Sequence, residues 1–181
     1  MAGKDLRIAA MADLHVKKTA QGTFQPMFAR ASEQAEVLLL CGDLTDYGAV
    51  EEAKVLAKEI TSSLRIPAIG VLGNHDFESG KQQEIVQILT DAGVTILDGD
   101  VIEVGGVGFA GVKGFGGGFG RRSLGAWGEE IIKKFVHETI EESLKLESGL
   151  ILLAIAVSPT LPNCESAPMR WKSTPDSVPW L

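Results

Sequence analysis

Thiols are nearly absent from this chain: of 181 residues only Cys41 and Cys164 are cysteine. Cys41 ends a predicted buried strand and Cys164 lies in the tail, so a disulfide is not expected and a reducing compartment is the default expectation. Basic residues are outnumbered, with 17 Lys and Arg against 24 Asp and Glu and a net charge of −7. That balance argues against a grip on a nucleic-acid backbone or an anionic membrane surface. It suits a carboxylate-rich site neutralised by cations. Long apolar runs are missing too. None approaches the ~20 residues needed to cross a bilayer, and the first five residues hold no apolar segment of the kind a secretory leader carries. A soluble, cytoplasmic protein with no membrane partner is the expectation. What is present, 45% apolar residues, excludes disorder and at this length supports one domain with a real core.

The apolar residues fall into alternating short runs and helical stripes. Residues 6–11, 37–41, 66–72 and 94–97 read as strands; the first is nearly all apolar, as a strand covered on both faces would be. Between them, Phe24, Met27, Phe28, Ala31 and Ala35 recur at helical spacing, as do Ala53, Leu56, Ala57, Ile60 and Leu64. A third helix covers residues 82–92, with Ile85, Ile88, Leu89 and Ala92 inward and Gly93 ending it. Alternation of this kind predicts an α/β fold with a parallel sheet. The rhythm then changes. Residues 101–104 and 107–111 flank the turn at Gly105-Gly106 and read as an antiparallel hairpin.

Beyond the hairpin lies a glycine-rich loop, residues 111–125, ending near Arg121 and Arg122. Its glycines allow close approach of backbone and its arginines could meet a phosphate; a plain surface crossover explains the same composition. Gly106 to Gly111 matches G-x-G-x-x-G, but no helix opens after it, so the dinucleotide reading is set aside. Residues 127–146 are expected as a long helix with Trp127, Ile131, Phe135, Val136, Ile140 and Leu144 inward, and residues 150–157 as a last strand. Residues 158–181 carry five prolines, two tryptophans and no periodicity. The expected division is a domain over 1–157 and an atypical, poorly packed tail over 158–181.

Chemistry concentrates where strands end. Asp13-Leu14-His15 follows the first strand, Gly42-Asp43-Leu44-Thr45-Asp46 the second, and Gly73-Asn74-His75-Asp76 the third. The intervals are each about one βα unit of ~30 residues, so the three loops can lie side by side at the carboxyl edge of the sheet. Asp and Asn after strands are common as helix caps. His15 and His75 have no capping role, which sets the three blocks together apart from that bland explanation. Asp13 and His15, two apart in extended chain, point the same way. Asp43 has two oxygens and could bridge two cations, and Asn74 offers a carbonyl oxygen. Such a mixed N/O set suits Mn, Fe or Zn. His137 lies beside the apolar stripe of the long helix, either as a solvated surface histidine or as a substitute ligand.

D-x-H, G-D-x-x-D and G-N-H-D, in this order and each after a strand, resemble the calcineurin-like metallophosphoesterase family. The resemblance implies a two-sheet α/β sandwich and hydrolysis of a phosphomonoester or phosphodiester at two divalent ions. It implies that Asp13, His15 and Asp43 hold the first ion, that Asp43 and Asn74 hold the second, and that His75, oriented by Asp46, is the catalytic proton donor. Water activated between two ions ~4 Å apart would attack phosphorus in line. The family pattern also has two later histidine blocks, which this sequence lacks after residue 154. The fold is therefore expected to be C-terminally incomplete, with one ion or none retained. The competing expectation is a catalytically inactive remnant, truncated or frame-changed, that binds metal weakly.

Overall fold

The computed structural model describes residues 5–114, 121 and 123–156. The atypical tail, Cys164, Arg122 and the centre of the glycine-rich loop lie outside the described residues. Four strands, β1 (Ile8–Met11), β2 (Val37–Cys41), β3 (Ala68–Val71) and β4 (Val94–Ile96), form one parallel sheet in the order β1-β2-β3-β4. Each is linked to the next by a helix: α1 (Gln25–Gln34), α2 (Val50–Ser63) and α3 (Gln82–Asp91). Strands β5 (Val101–Val104) and β6 (Val107–Ala110) form a separate antiparallel hairpin. The chain then runs into α4 (Glu130–Ala156).

Alternation along the strands assigns the two faces of the sheet. Leu38, Leu40, Ala68 and Val94 point into one core with Phe28 of α1, Leu56 and Ile60 of α2, and Ile85 and Leu89 of α3. Val37 and Ile69 point the opposite way and pack with Leu97 against Ile102, Val104 and Phe109 of the hairpin. Helix α4 lies on the hairpin: Leu153 sits against Gly108, and Gly149 approaches Val101 and Ala110. The architecture is an α/β sandwich in which a hairpin supplies the second sheet. Strand β1 is an edge strand and only half covered, with Ile8 46% exposed, not enclosed on both faces as its composition suggested.

Two expectations fail in α4. Residues 150–156 continue the helix instead of forming a strand. A short apolar run cannot be assigned to helix or strand from periodicity alone, and an established helix extends at little cost compared with nucleating a new element. The helix is also rotated relative to its apparent stripe. Of the six residues expected inward only Val136 is buried, while Ile131, Phe135, Ile140 and Leu144 are exposed. The face that turns inward carries Glu142, 2% exposed, whose Oε1 receives Lys145 Nζ at 2.8 Å and lies 3.6 Å from Lys113 Nζ. Lys145 also reaches Asp98 after β4, at 3.1 Å. Gly149 belongs to this face because any side chain there would press on the Gly99 carbonyl at 3.2 Å. A buried ion cluster and a close backbone approach outweigh the apolar stripe in setting the rotation. Among the described residues no helix is long and apolar enough to cross a membrane.

Helix α1 begins at Phe24 without a side-chain cap. The missing acceptor comes from Glu59 of α2, 1% exposed, whose carboxylate receives the N–H groups of Gly22 at 2.7 Å and Phe24 at 3.0 Å and the Gln25 amide at 3.2 Å. Burial alone would push the Glu59 carboxyl up; the hydrogen bonds from Gly22, Phe24 and Gln25 outweigh it and hold the group below its ordinary value. A carboxyl with a folded pKa below its unfolded value of ~4.3 stabilises fully above that value and loses the contribution as pH falls through the folded one. Glu59→Gln is therefore expected to lower the stability at pH 7 by about 1–3 kcal/mol and to flatten the acid limb of the stability curve below pH ~4. Urea unfolding at stepped pH measures both; parallel acid limbs for the two proteins would remove the charge from this account.

Candidate metal centre

Parallel pairing brings the ends of three strands to one edge. Met11 is in register with Leu40, and Cys41 with Val71. The loops that leave β1 and β2 stay paired. The Asp13 N–H donates to the Gly42 carbonyl (3.1 Å), the His15 N–H to the Asp43 carbonyl (3.0 Å), and Val16 bridges to Thr45. Asp13, His15 and Asp43 hold φ values of 55°, 44° and 49°. Such left-handed backbone costs a non-glycine residue ~1–3 kcal/mol and persists only where the surroundings enforce it. The third loop closes on the second at Gly73, where a Cβ would lie 2.2 Å from Asp43 Oδ1 and 2.3 Å from its nitrogen. No residue with a side chain fits there.

The second and third loops are joined by Asp76, which is fully buried. Its Oδ1 accepts from the Thr45 N–H at 2.8 Å and the Thr45 hydroxyl at 2.6 Å. Its Oδ2 accepts from the N–H groups of Gly73 at 2.9 Å and Leu44 at 3.1 Å. One carboxylate thus closes its own turn, Asn74–Phe77, and clamps the Asp43 loop against it. The Asp43 carboxylate in turn receives the His75 N–H at 3.0 Å.

This framework gathers the side chains. Ligand atoms of His15, Asp43 and His75 all lie within 4.8 Å of one another. The two imidazoles meet edge to face, with centroids 4.5 Å apart. Asp13 and Asn74 line the same cavity of about 380 Å³ together with Asp43. A family model for calcineurin-like phosphoesterases matches residues 6–155. The chain belongs to the calcineurin-like phosphoesterase family. No curated protein matches it in a direct search.

Calcineurin-like phosphoesterases are hydrolases that use divalent metals, and the donor set here fits such an ion. An ion ~2.1 Å from each ligand atom permits spreads up to ~4.2 Å between ligands, and the ligand atoms of His15, Asp43 and His75 lie within 4.8 Å of one another. Imidazole and carboxylate are donors that a divalent cation accepts, and His15 and Asp43 hold theirs on left-handed backbone. Asp13 stands at the cavity wall rather than in this closest group, and Asn74 lines the same wall.

Asp46 does meet the His75 ring, but through its main chain: His75 Nδ1 lies 2.7 Å from the Asp46 carbonyl. A carbonyl only accepts, so Nδ1 carries the hydrogen and Nε2 is the free ring nitrogen. The Asp46 carboxylate points elsewhere, 3.5 Å from His15 Nδ1 and 3.7 Å from Lys17 Nζ. His137 is exposed on α4 and takes no part in the cluster. Cys41, expected at the buried end of its strand, is exposed and lines the cavity. The clamp formed by Asp76 is not visible in the motif; its one signal is an acidic residue three positions after Gly73, where it can cap its own turn.

The Asp46 carbonyl, and after it the carboxylates of Asp43, Glu78 and Asp46, hold the His75 imidazolium and raise its pKa above the ordinary histidine value. In metal-free protein the His75 ring should titrate above ~6.5 by NMR, and Glu78→Gln should lower the midpoint; a midpoint at or below that value would contradict this arrangement. Asp76→Ala strands three N–H donors and a hydroxyl in the interior. It is expected to cost about 3–5 kcal/mol, read as a shift in the urea midpoint, with metal affinity falling alongside.

Proposed function

We propose that this chain binds a divalent cation at Asp13, His15 and Asp43, with Asn74 beside them and His75 next to the ion as proton donor, and that the site is shaped for hydrolysis of a phosphoester. The observation that carries the reading is the convergence of His15, Asp43 and His75 within 4.8 Å of one another, with Asp13, His15 and Asp43 on enforced left-handed backbone. When bound, the ion supplies Lewis-acid polarisation of a phosphoryl oxygen and lowers the pKa of an attacking water. The protein's own part is to hold and to deliver. Asp13, His15, Asp43 and Asn74 form the ligand set. His75, with Nδ1 fixed on the Asp46 carbonyl and its imidazolium favoured, keeps a proton on Nε2 to give to the leaving oxygen. Its closeness to His15 and Asp43 puts that donor at the rim of the ligand group.

Manganese, iron and zinc suit this donor set equally. A phosphatase acting in the cytoplasm is the setting that the acidic balance and the scarcity of cysteine support. Full activity in the family pattern draws on later histidines, and this chain has only His137 beyond His75. The geometry supports ligands for one ion, and weak turnover is the expected outcome. A chain holding a single ion would lack a clamp on the phosphoryl oxygens worth about 3 kcal/mol, roughly a hundredfold in rate.

Elemental analysis after Mn²⁺ loading and desalting should return about one ion per chain, lost in Asp43→Asn. Hydrolysis of p-nitrophenyl phosphate should stand barely above the metal-free background. Zero bound metal would favour the inactive-remnant reading. Robust turnover that disappears in Asp43→Asn would show that the later histidines were overvalued.

A further inference from the structure

Helix α4 has 27 residues, a length of ~40 Å at the α-helical rise. One of its faces is committed. Glu142 turns to Lys113, Gly149 to Val101 and Ala110, and Leu153 to Gly108. On the opposite side a second line runs down the helix. His137, Ile140, Leu144, Glu147 and Ile151 follow one another at steps of three, four, three and four residues, and all five are exposed. Such steps place side chains along one seam, the pattern through which two helices pack together. At its centre Ile140 is 41% and Leu144 54% exposed.

The order of residues along the seam selects the partner. Lys133, one turn before His137, extends the line at its N-terminal end, and Glu147 lies toward the C-terminal end. The side chains of Lys133, His137 and Glu147 have no ion-pair or hydrogen-bond partner among the described residues. Two copies of α4 laid parallel would set Glu147 against Glu147 and Lys133 against Lys133. Laid antiparallel about a two-fold axis near residue 142, they pair differently. Ile140 of each copy meets Leu144 of the other, and His137 meets Glu147. The Lys133 stem lies along Ile151 of the other copy, and its ammonium reaches back toward Glu147 there. The seam is therefore complementary to its own reversal, which is the demand of a two-fold interface and of no unrelated partner.

We propose that α4 pairs antiparallel with α4 of a second copy of this chain, forming a homodimer through Ile140, Leu144 and Ile151 with Lys133 and His137 set against Glu147. A two-helix contact of this length covers on the order of 1,000 Å² in total, at the lower edge of specific interfaces, so association is in the micromolar range. The assignment does not depend on the hydrolase reading of the metal centre.

Sedimentation velocity of the full 181-residue chain over a concentration series tests it. The mass should rise from one chain to two and stop there. Leu144→Glu should stay monomeric throughout with its far-UV circular dichroism unchanged, because Leu144 is exposed within one chain. Glu147→Lys sets like charges against each other at both ends of the seam and should weaken the dimer about tenfold. Adding Lys133→Glu to that variant should restore most of the loss, since opposite charges then meet again only in the antiparallel register. A parent chain that remains monomeric overturns the proposal, including the case in which another stretch of the same chain covers the seam. So does growth beyond two chains, or a dimer that Leu144→Glu leaves intact. Failure of Lys133→Glu to rescue Glu147→Lys overturns the antiparallel pairing, and this pair of variants decides the matter if Leu144→Glu does not fold.

Discussion

The site depends on one buried carboxylate. Asp76 accepts four hydrogen bonds, and these set the distance between the loop that carries Asp43 and the loop that carries His75. A charge so fully enclosed is tolerable only when every lone pair is met. The N–H groups that meet it would themselves be stranded without it. The resulting rigidity keeps Asp13, His15 and Asp43 in a conformation that relaxed chain avoids. Ligands assembled in advance need no reordering when a cation arrives, which is what makes loops at strand ends usable for chemistry.

The opposite face of the parallel sheet is organised by a different constraint. A hairpin seals it, and α4 is held on the hairpin by the buried Glu142 and its two lysines. One Glu142 oxygen has no partner among the described residues, so the cluster fixes orientation more than it adds stability. That orientation leaves Ile131, Phe135, Ile140 and Leu144 facing outward. Lys113 belongs to this cluster and its neighbour Gly114 lines the metal cavity, so the packing of α4 and the shape of the site share a segment.

Much of this was legible beforehand where local pattern and tertiary demand agree. The βα rhythm located four parallel strands and three helices to within a few residues, because a buried strand and an amphipathic helix each have a period that composition displays. The three loops were legible because Asp, Asn and His gathered after strands serve few purposes besides capping and catalysis. The 150–156 segment was not, since an apolar run has the same composition in a strand as at the end of a helix.

The sequence by itself determined the order of elements, the class of fold and the residue types delivered to one edge of the sheet. These follow from local periodicity and from the geometry of parallel crossovers. Only the tertiary structure decided which groups touch. Asp46 holds His75 through its carbonyl and turns its carboxylate to His15. Glu59 caps a helix from 35 residues away. Glu142 reverses the face of α4. Each is a contact between residues distant in sequence or set by backbone direction, and a linear pattern carries no distance between such groups until the chain is folded.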